Sequence, residues 1–228
     1  MRENMTMVFW DFDGTLVHSN SLWSNSVYFV LREIDCNTTV RFFDIRTCMA
    51  FGFTWHTPNE DYSNMIYSKR WDFMVKKIRN DYISLGVDEH IAEKAAERVP
   101  TIIKKLDNYI VYNDAVDSLK KSIACGNKNV ILSNNYPDLI DVLNGLGLAD
   151  YFDGFIVPAC VGYDKPRKEI FDYAKRHYLS DNYIMIGDSV NADVIGAANA
   201  DMKTILVHNG FNDAADICCD NLSDIDFG

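Results

Sequence analysis

The sequence contains no long hydrophobic run, and this absence bears on where the protein resides. No stretch approaches the roughly 18 to 20 consecutive apolar residues that a membrane-spanning helix needs. The first residues, MRENMTM, do not form the apolar segment of a secretory signal. We therefore expect a cytoplasmic protein with no membrane partner.

Cysteine pairs at metal-ligand or redox spacing are also missing. The six cysteines are scattered along 228 residues, and none forms a C-x-x-C motif. We interpret them as small apolar side chains or free thiols, and we do not expect a zinc site or a disulfide framework.

Basic residues are too few for a nucleic-acid-binding surface. Lys and Arg together number 22 against 33 Asp and Glu, which gives a formal net charge of −11. Proteins that bind nucleic acid neutralise its phosphates with a basic face, and the overall balance argues against such a partner. An anionic substrate would require a local reversal of this negative field.

What the sequence does contain is an alternation of short apolar runs with helical patterns. Runs rich in β-branched or aromatic residues predict strands buried on both faces of a parallel sheet, at residues 5–10, 129–132, 155–157, 183–186 and 204–207. Between them, apolar residues recur at helical spacing, with Pro137 and Pro166 as first-turn residues and Gly126 as a stop. This pattern predicts an α/β chain with helices on both faces of the sheet.

Residues 19–108 interrupt this alternation, because they contain no convincing buried strand. One helical stripe runs from Ile91 to Leu106, and Pro100 inside it predicts a kink or a new helix start. A second stripe comprises Tyr62, Met65, Ile66, Phe73 and Met74. We predict an all-helical insertion between the first strand and the rest of the sheet.

Polar side chains gather at the predicted carboxyl ends of four strands. In chain order they are Asp11 and Asp13, then Ser133, Asn134 and Asn135, then Lys165, and then Asp188 and Asp193. In an open α/β sheet, ligands bind at this edge. The sequence therefore predicts that carboxylates, a hydroxyl, amides and an ammonium group meet there.

Asp11 and Asp13 are separated by one residue and are followed by Gly14. Side chains two residues apart on an extended segment point the same way, about 7 Å apart, so this pair can flank one phosphoryl group. Gly14 allows the chain to turn sharply. Clustered carboxylates repel one another unless a cation joins them, and hard oxygen ligands suit Mg²⁺ better than zinc.

Four motifs together resemble the haloacid dehalogenase (HAD) superfamily. They are DFDGTL, an apolar strand ending in Ser-Asn, an isolated Lys-Pro and GDSxxxD, in the family's order and spacing. More narrowly, the chain is similar to the phosphoglycolate phosphatase and β-phosphoglucomutase group, which carries a helical cap after the first motif. The resemblance implies a Rossmann-like core, residues 1–18 and 109–228, and an all-helical cap domain, residues 19–108.

The resemblance also implies a role for each matching residue. Asp11 would be the nucleophile that becomes an aspartyl-phosphate, and Asp13 would be the general acid and base. Lys165 would offset the charge on Asp11 and on the phosphoryl group. Ser133 and the backbone of Asn134 would hold phosphate oxygens.

The same resemblance implies a magnesium site. Mg²⁺ would be held by the carboxylates of Asp11 and Asp188 and by the backbone carbonyl of Asp13, and Asp193 would support Lys165 or the water shell of the metal. Together with Lys165 and backbone N–H groups, the cation would reverse the field of an acidic protein locally.

Structural explanations compete with some of these assignments. The Ser-Asn-Asn segment could be only a helix entry, Lys165 a solvated loop lysine, and Asp188 a helix N-cap. In the cap, Trp55 and His56 could cover a bound substrate, or they could be a packed tryptophan and an exposed histidine. A basic run on a cap helix is interpreted mostly as a solvated face, although one or two of its members could lean towards an anionic substrate: Lys69, Arg70, Lys76, Lys77 and Arg79.

The resulting prediction is a Mg²⁺-dependent phosphatase acting on a small phosphorylated metabolite. A phosphomutase of the β-phosphoglucomutase type would use the same residues and a bisphosphate activator. A dehalogenase would lack the second aspartate, which is present here as Asp13. A non-catalytic binding protein would be expected to have lost one of the motif residues. The physiological substrate and the oligomeric state are left open.

Overall fold

The computed structural model describes residues 5–227 and contains one large sheet of six parallel strands. The strands are β1 (Thr6–Trp10), β4 (Lys128–Leu132), β5 (Gly154–Ile156), β6 (Asn182–Gly187), β7 (Lys203–Val207) and β8 (Ile217–Cys219). Their order across the sheet is β5-β4-β1-β6-β7-β8. The first strand is therefore central, and its neighbours come from distant parts of the chain.

Helices cover both faces of this sheet, which confirms the predicted α/β fold class. The residues of β1 alternate between two apolar layers, because successive side chains of a strand point to opposite faces. Val8 and Trp10 belong to the layer of α5 (Ala115–Ala124) and α6 (Leu139–Gly145). Met7 and Phe9 belong to the layer of α8 (Lys168–His177). Shorter helices α7 (Pro158–Val161) and α9 (Gly196–Ala198) follow β5 and β6, with a π-helical segment, Val190–Ile195, before α9.

Four α-helices lie between β2 (Val17–His18) and β3 (Ile110–Val111), which pair antiparallel. They are α1 (Leu22–Ile34), α2 (Phe42–Met49), α3 (Ser68–Ser84) and α4 (Glu89–Ile103). Both α1 and α3 pack against α4. The exact division at residues 18/19 and 108/109 stays a prediction; the structure places the β2–β3 pair where this segment leaves and rejoins the chain.

One local prediction was wrong, one is settled only in part, and one strand was missed. Tyr62, Met65 and Ile66 lie in turns or irregular backbone and not in a helix, which begins at Ser68. The α4 helix continues through Pro100 and ends at Ile103, so no new helix starts there; the kink, which was the other expectation at Pro100, stays a prediction. The edge strand β8 was not predicted, because three residues at the edge of a sheet leave no long apolar run.

The basic run on α3 is not uniformly solvated, which corrects the prediction for two of its members. The Arg70 side chain is completely buried, and the Lys77 side chain is only 10% exposed. Lys77 donates hydrogen bonds to Asp81 on the same helix and to the carbonyl of Cys48. Arg70 reaches Asp164, outside the helical segment.

Among the described residues, no helix is both long enough and apolar enough to span a membrane.

Candidate active site

Asp11 and Asp13 leave the end of β1, where the neighbouring strands also end. Trp10 is level with Ile131 of β4 and with Ile186 of β6, so the residues after all three strands emerge at one edge. The backbone N–H of Asp11 still donates to the carbonyl of Ile186, at 2.9 Å. This bond fixes Asp11 as the last sheet-anchored residue before the chain turns.

Gly14 makes that turn possible for two separate reasons. Its φ of +83° is the left-handed conformation that other residues rarely adopt. A Cβ atom at this position would lie 2.3 Å from Oδ2 of Asp188, so a side chain would collide with that carboxylate. Gly14 therefore allows the segment that follows β1 to approach Asp188, which follows β6.

The Asp13 carboxylate is held on both oxygens by neutral donors. Ser19 Oγ donates to Oδ1 at 2.7 Å, and Asn135 Nδ2 donates to Oδ2 at 2.9 Å. Burial raises the pKa of Asp13 to about 6, and the negative charge of Asp11 adds to this, while the two hydrogen bonds act in the opposite direction. A carboxyl group with a pKa near neutrality can both give and take a proton.

Lys165 is buried among three acceptors. Its Nζ donates to Asp11 Oδ1 at 3.0 Å, to the carbonyl of Leu132 at 2.7 Å and to Asp193 Oδ1. Burial alone would lower the pKa of Lys165, but the charges of Asp11 and Asp193 outweigh it and raise the pKa. The side chain is 1% exposed, so it is not a solvated loop lysine.

Carboxylate oxygens of Asp11, Asp188 and Asp193 lie within 4.8 Å of one another. Burial, followed by the charge of Asp11, raises the pKa of Asp188 to about 6. Burial also raises the pKa of Asp193, which pairs with Lys165 and accepts a hydrogen bond from the backbone of Ser189 at 3.0 Å. The oxygens of Asp11 and Asp188 are thus the better placed for a cation, and an all-oxygen donor set fits Mg²⁺.

Ser189, rather than Asp188, caps the helical segment that follows. Ser189 Oγ accepts a hydrogen bond from the backbone N–H of Ala192 at 3.1 Å. The alternative explanation of Asp188 as an N-cap is therefore unnecessary.

Asn134 lies just after β4 and bonds the loop that carries Lys165. Its Nδ2 donates to the carbonyl of Lys165 at 2.8 Å, and its Oδ1 accepts from the backbone N–H of Lys165 at 2.7 Å. Ser133 is buried beside it, with its backbone N–H bonded to the carbonyl of Ile156. Phosphate binding by Ser133 and by the Asn134 backbone stays a prediction.

A cavity of about 430 Å³ opens between Asp13 and the helical segment. Trp55 lies on its wall, next to Trp23, with 5.8 Å between the ring centroids. His56 is not among the lining residues of this described cavity; its Nδ1 accepts a hydrogen bond from the backbone of Phe53, and burial lowers its pKa. The structure therefore brings Trp55 to the site and gives His56 a local structural contact.

Sequence reasoning placed Asn135 at this edge of the sheet without giving it a role, and it missed Ser19. The structure gives Asn135 a contact there, because its Nδ2 donates to Asp13. Ser19 follows the short strand β2 and carries no motif, so only the folded chain reveals its hydrogen bond to Asp13.

Fold and site together define a Rossmann-like α/β hydrolase with a carboxylate pair after its first strand. The chain belongs to the haloacid dehalogenase-like hydrolase family, whose model matches residues 5–201.

Two curated relatives share part of the sequence. The chain is 36% identical over 91 residues to the pyrimidine 5′-nucleotidase YjjG of Escherichia coli, covering 38% of this chain and 40% of that protein. It is 35% identical over 71 residues to a glyceraldehyde 3-phosphate phosphatase of Methanothermobacter thermautotrophicus, covering 30% and 31%. The matched stretches thus span less than half the length of these relatives.

Solved structures match over nearly the whole chain. The magnesium-bound HAD-hydrolase YfnB of Bacillus subtilis has a TM-score of 0.72 at 17% identity, covering 97% of this chain and 96% of that one. A predicted phosphoglycolate phosphatase of Haemophilus somnus has 0.69 at 15%, covering 98% and 97%. A protein of Thermotoga maritima assigned to the β-phosphoglucomutases also has 0.69 at 15%, covering 96% and 95%. At these identities the similarity shows the fold alone.

Proposed function

We propose that this protein is a Mg²⁺-dependent phosphatase that hydrolyses a small-molecule phosphomonoester through an aspartyl-phosphate. The observation that carries the proposal is the pairing of two unlike carboxylates at one strand end. Asp11 is held by the Lys165 ammonium, whereas Asp13 has a pKa raised to about 6 and faces the cavity. These environments suit a nucleophile and a proton carrier, respectively.

The proposed reaction has two displacements at phosphorus. A carboxylate oxygen of Asp11 attacks, the bond between phosphorus and the leaving oxygen breaks, and protonated Asp13 gives its proton to that oxygen. Asp13, now a carboxylate, then takes a proton from water as the water attacks the phosphoryl group on Asp11. Inorganic phosphate leaves and both aspartates return to their starting states.

The other residues position and neutralise charge. Lys165 lies against Asp11 and would offset the negative charge that approaches it. Mg²⁺ would be held by the carboxylates of Asp11 and Asp188 and by the backbone carbonyl of Asp13. When bound, the cation would supply further charge neutralisation at the phosphoryl oxygens. The pKa of Asp188 is raised first by burial and then by the charge of Asp11, and the second cause supports this assignment because a cation would offset it.

The cavity favours a leaving group that carries a planar ring. Trp23 and Trp55 form an aromatic wall, and the curated relatives include a pyrimidine 5′-nucleotidase. A nucleoside 5′-monophosphate is therefore our first candidate substrate, ahead of smaller phosphoesters. The six free cysteines fit a reducing compartment, so we retain the cytoplasm as the proposed location.

The experiment is phosphate release from a panel of phosphomonoesters, with Mg²⁺ and with excess EDTA. The panel contains uridine and thymidine 5′-monophosphates, adenosine 5′-monophosphate, phosphoglycolate, glyceraldehyde 3-phosphate and glucose 6-phosphate. We expect metal-dependent release, fastest with a nucleotide, and a loss of at least about a thousandfold in Asp11→Asn. EDTA-insensitive release, or near-wild-type turnover by Asp11→Asn, would contradict the mechanism. Turnover that requires a bisphosphate activator would indicate a mutase instead.

A further inference from the structure

The first turn of α3 places a completely buried arginine against the loop that carries Lys165. Arg70 is the third residue of this helix, and its Nη2 donates to Asp164 Oδ1. The two side chains are 0% and 1% exposed. The partners are 94 residues apart, and Asp164 directly precedes Lys165. A contact from the helical segment thus ends one residue from the buried ammonium of the site.

This ion pair is not in the geometry that stabilises a fold most. Arginine and a carboxylate can form two parallel hydrogen bonds. In this pair only Nη2 of Arg70 and Oδ1 of Asp164 are hydrogen-bonded, and the other polar atoms of the two side chains have no partner among the described residues. Removing two charges from water costs free energy that a single bond repays poorly, and apolar residues of similar volume often stabilise such a position as well or better. Stability alone therefore does not account for a charged pair here.

The Arg70–Asp164 pair is one of several contacts between the helical segment and the part of the protein that contains the six-stranded sheet. The backbone N–H of Tyr67 donates to the carbonyl of Ala159 at 2.9 Å, and Arg167 Nη1 donates to the carbonyl of Glu60 at 2.8 Å. Gly162 lies so close to Ser63 that a Cβ atom on the glycine would be 2.5 Å from its Cα. Residues 60–70 therefore run along residues 159–167.

The Lys165 loop is consequently held from two sides. Asn134 bonds both backbone groups of Lys165 from the sheet side, while Arg70 bonds Asp164 from α3. Lys165 reaches Asp11 and Asp193 at the same time only if its side chain is placed accurately. Its ammonium group is buried and both acceptors are buried or half-buried, so a displaced lysine would lose these bonds. Loss of the Arg70–Asp164 contact would remove the bond on the α3 side that lies nearest to Lys165.

We propose that Arg70 is a positioning residue, which holds Lys165 in place through Asp164 when the helical segment lies against the core. For its consequence in turnover, the proposal rests on the proposed function of Lys165. Arg70 acts through the loop and is not among the residues that line the described cavity. The arrangement makes the site complete only when the two parts of the protein are in contact.

The test compares Arg70→Met, the double variant Arg70→Met/Asp164→Leu and a control, Arg79→Met. Arg79 lies on the same helix, but it pairs with exposed Glu89 of α4. Hydrolysis of para-nitrophenyl phosphate gives kcat and KM. The rate at which acetic anhydride acetylates Lys165, measured by mass spectrometry, reports the position of the lysine without any need for turnover. Urea midpoints report stability.

We expect Arg70→Met to lower kcat about thirtyfold with KM changed less than about twofold, since misplacement of a catalytic group by about 1 Å can cost a hundredfold. Lys165 acetylation should rise at least about tenfold. Arg79→Met should leave kcat and acetylation within about twofold of wild type. The double variant removes the unpaired buried charge, so its urea midpoint should return towards wild type while kcat stays low and acetylation stays fast.

Three outcomes would overturn the proposal. One is a folded Arg70→Met with wild-type acetylation of Lys165. Another is a double variant in which stability, kcat and acetylation all recover, because a purely structural contact behaves in that way. The third is an equal effect of Arg79→Met. If Arg70→Met does not fold, the double variant supplies the same comparison. If the wild type releases no phosphate, only the proposed function fails, and the acetylation rates still decide whether Arg70 positions Lys165.

Discussion

Replacing Lys165 with methionine removes a cation that two carboxylates share. Its Nζ contacts Asp11 Oδ1 at 3.0 Å and also Asp193 Oδ1, and the side chains of Lys165 and Asp193 are each 1% exposed. Methionine keeps most of the side-chain volume, so the substitution chiefly deletes charge. Breaking a buried pair in this way leaves an uncompensated charge and costs about 3 to 5 kcal/mol of the free energy of unfolding.

The loss should depend on pH in a direction that the carboxylates determine. Burial already raises the pKa of Asp193, and removal of the ammonium raises it further. A carboxyl group with a folded-state pKa above its unfolded value contributes stability at low pH, and this contribution is lost as the pH rises through the folded-state pKa. Lys165→Met should therefore be more destabilised at about pH 8 than at about pH 5.

A double-mutant cycle with Asp193→Asn isolates the pair. In Lys165→Met/Asp193→Asn the unpaired charge on residue 193 is gone, so the double variant should be about 2 kcal/mol more stable than the sum of the single effects predicts. Lys168→Met is the matched control, since Lys168 forms an exposed ion pair with Asp172 and should lose less than about 0.5 kcal/mol.

The assay is urea unfolding followed by tryptophan fluorescence at the two pH values. Two results would refute the reasoning: a Lys165→Met loss no larger than that of Lys168→Met, or effects at residues 165 and 193 that add within about 0.5 kcal/mol. Either would mean that Lys165 and Asp193 do not form the buried pair described above.

Three further predictions concern the cation, the turn and the cavity. Without divalent cations, the protein should lose stability as the pH rises from about 4 through about 6, because the folded-state pKa values of Asp13 and Asp188 are raised to about 6. Excess MgCl₂ should therefore raise Tm more at about pH 8 than at about pH 5. Equal gains in Tm at both pH values would contradict this prediction. Gly14→Ala should weaken Mg²⁺ binding about tenfold by calorimetry, because its Cβ would displace Asp188, whereas Gly86→Ala shares the backbone strain at φ +85° with no atom within 4 Å and should leave binding unchanged. Trp55→Ala should raise KM for a nucleoside monophosphate about tenfold and that for phosphoglycolate less than about twofold in steady-state assays; equal changes would remove Trp55 from substrate recognition.

Local patterns accounted for most of the sheet and for the helices that cover it. The run NVIL predicted β4 and TILV predicted β7, each within one residue, because a strand buried on both faces is continuously apolar. The spacing of Val116 and Leu119 predicted α5. The strand β8 escaped because a short edge strand with half-buried residues has no such local pattern.

The start of α3 shows why spacing alone can mislead. Tyr62, Met65 and Ile66 have helical spacing, yet their segment has a contact outside the helical insertion, where Ser63 lies against Gly162, and the helix begins only at Ser68. Periodicity records which residues could share a helix face, whereas contacts with a distant part of the chain decide the backbone that forms.

The sequence by itself predicted five of the six strands of the large sheet, the alternation of these strands with helices, and the residue types at the strand ends. Asp11, Lys165 and Asp188 could be named because a strand end is a local feature and the edge where parallel strands end is common to all of them. Only the tertiary structure decided that Ser19 binds Asp13, that His56 contacts its own turn, and that Arg70 is buried against Asp164. The burial of a charge depends on a partner, and for Arg70 that partner lies 94 residues away in the chain. Neither composition nor periodicity encodes such a pairing.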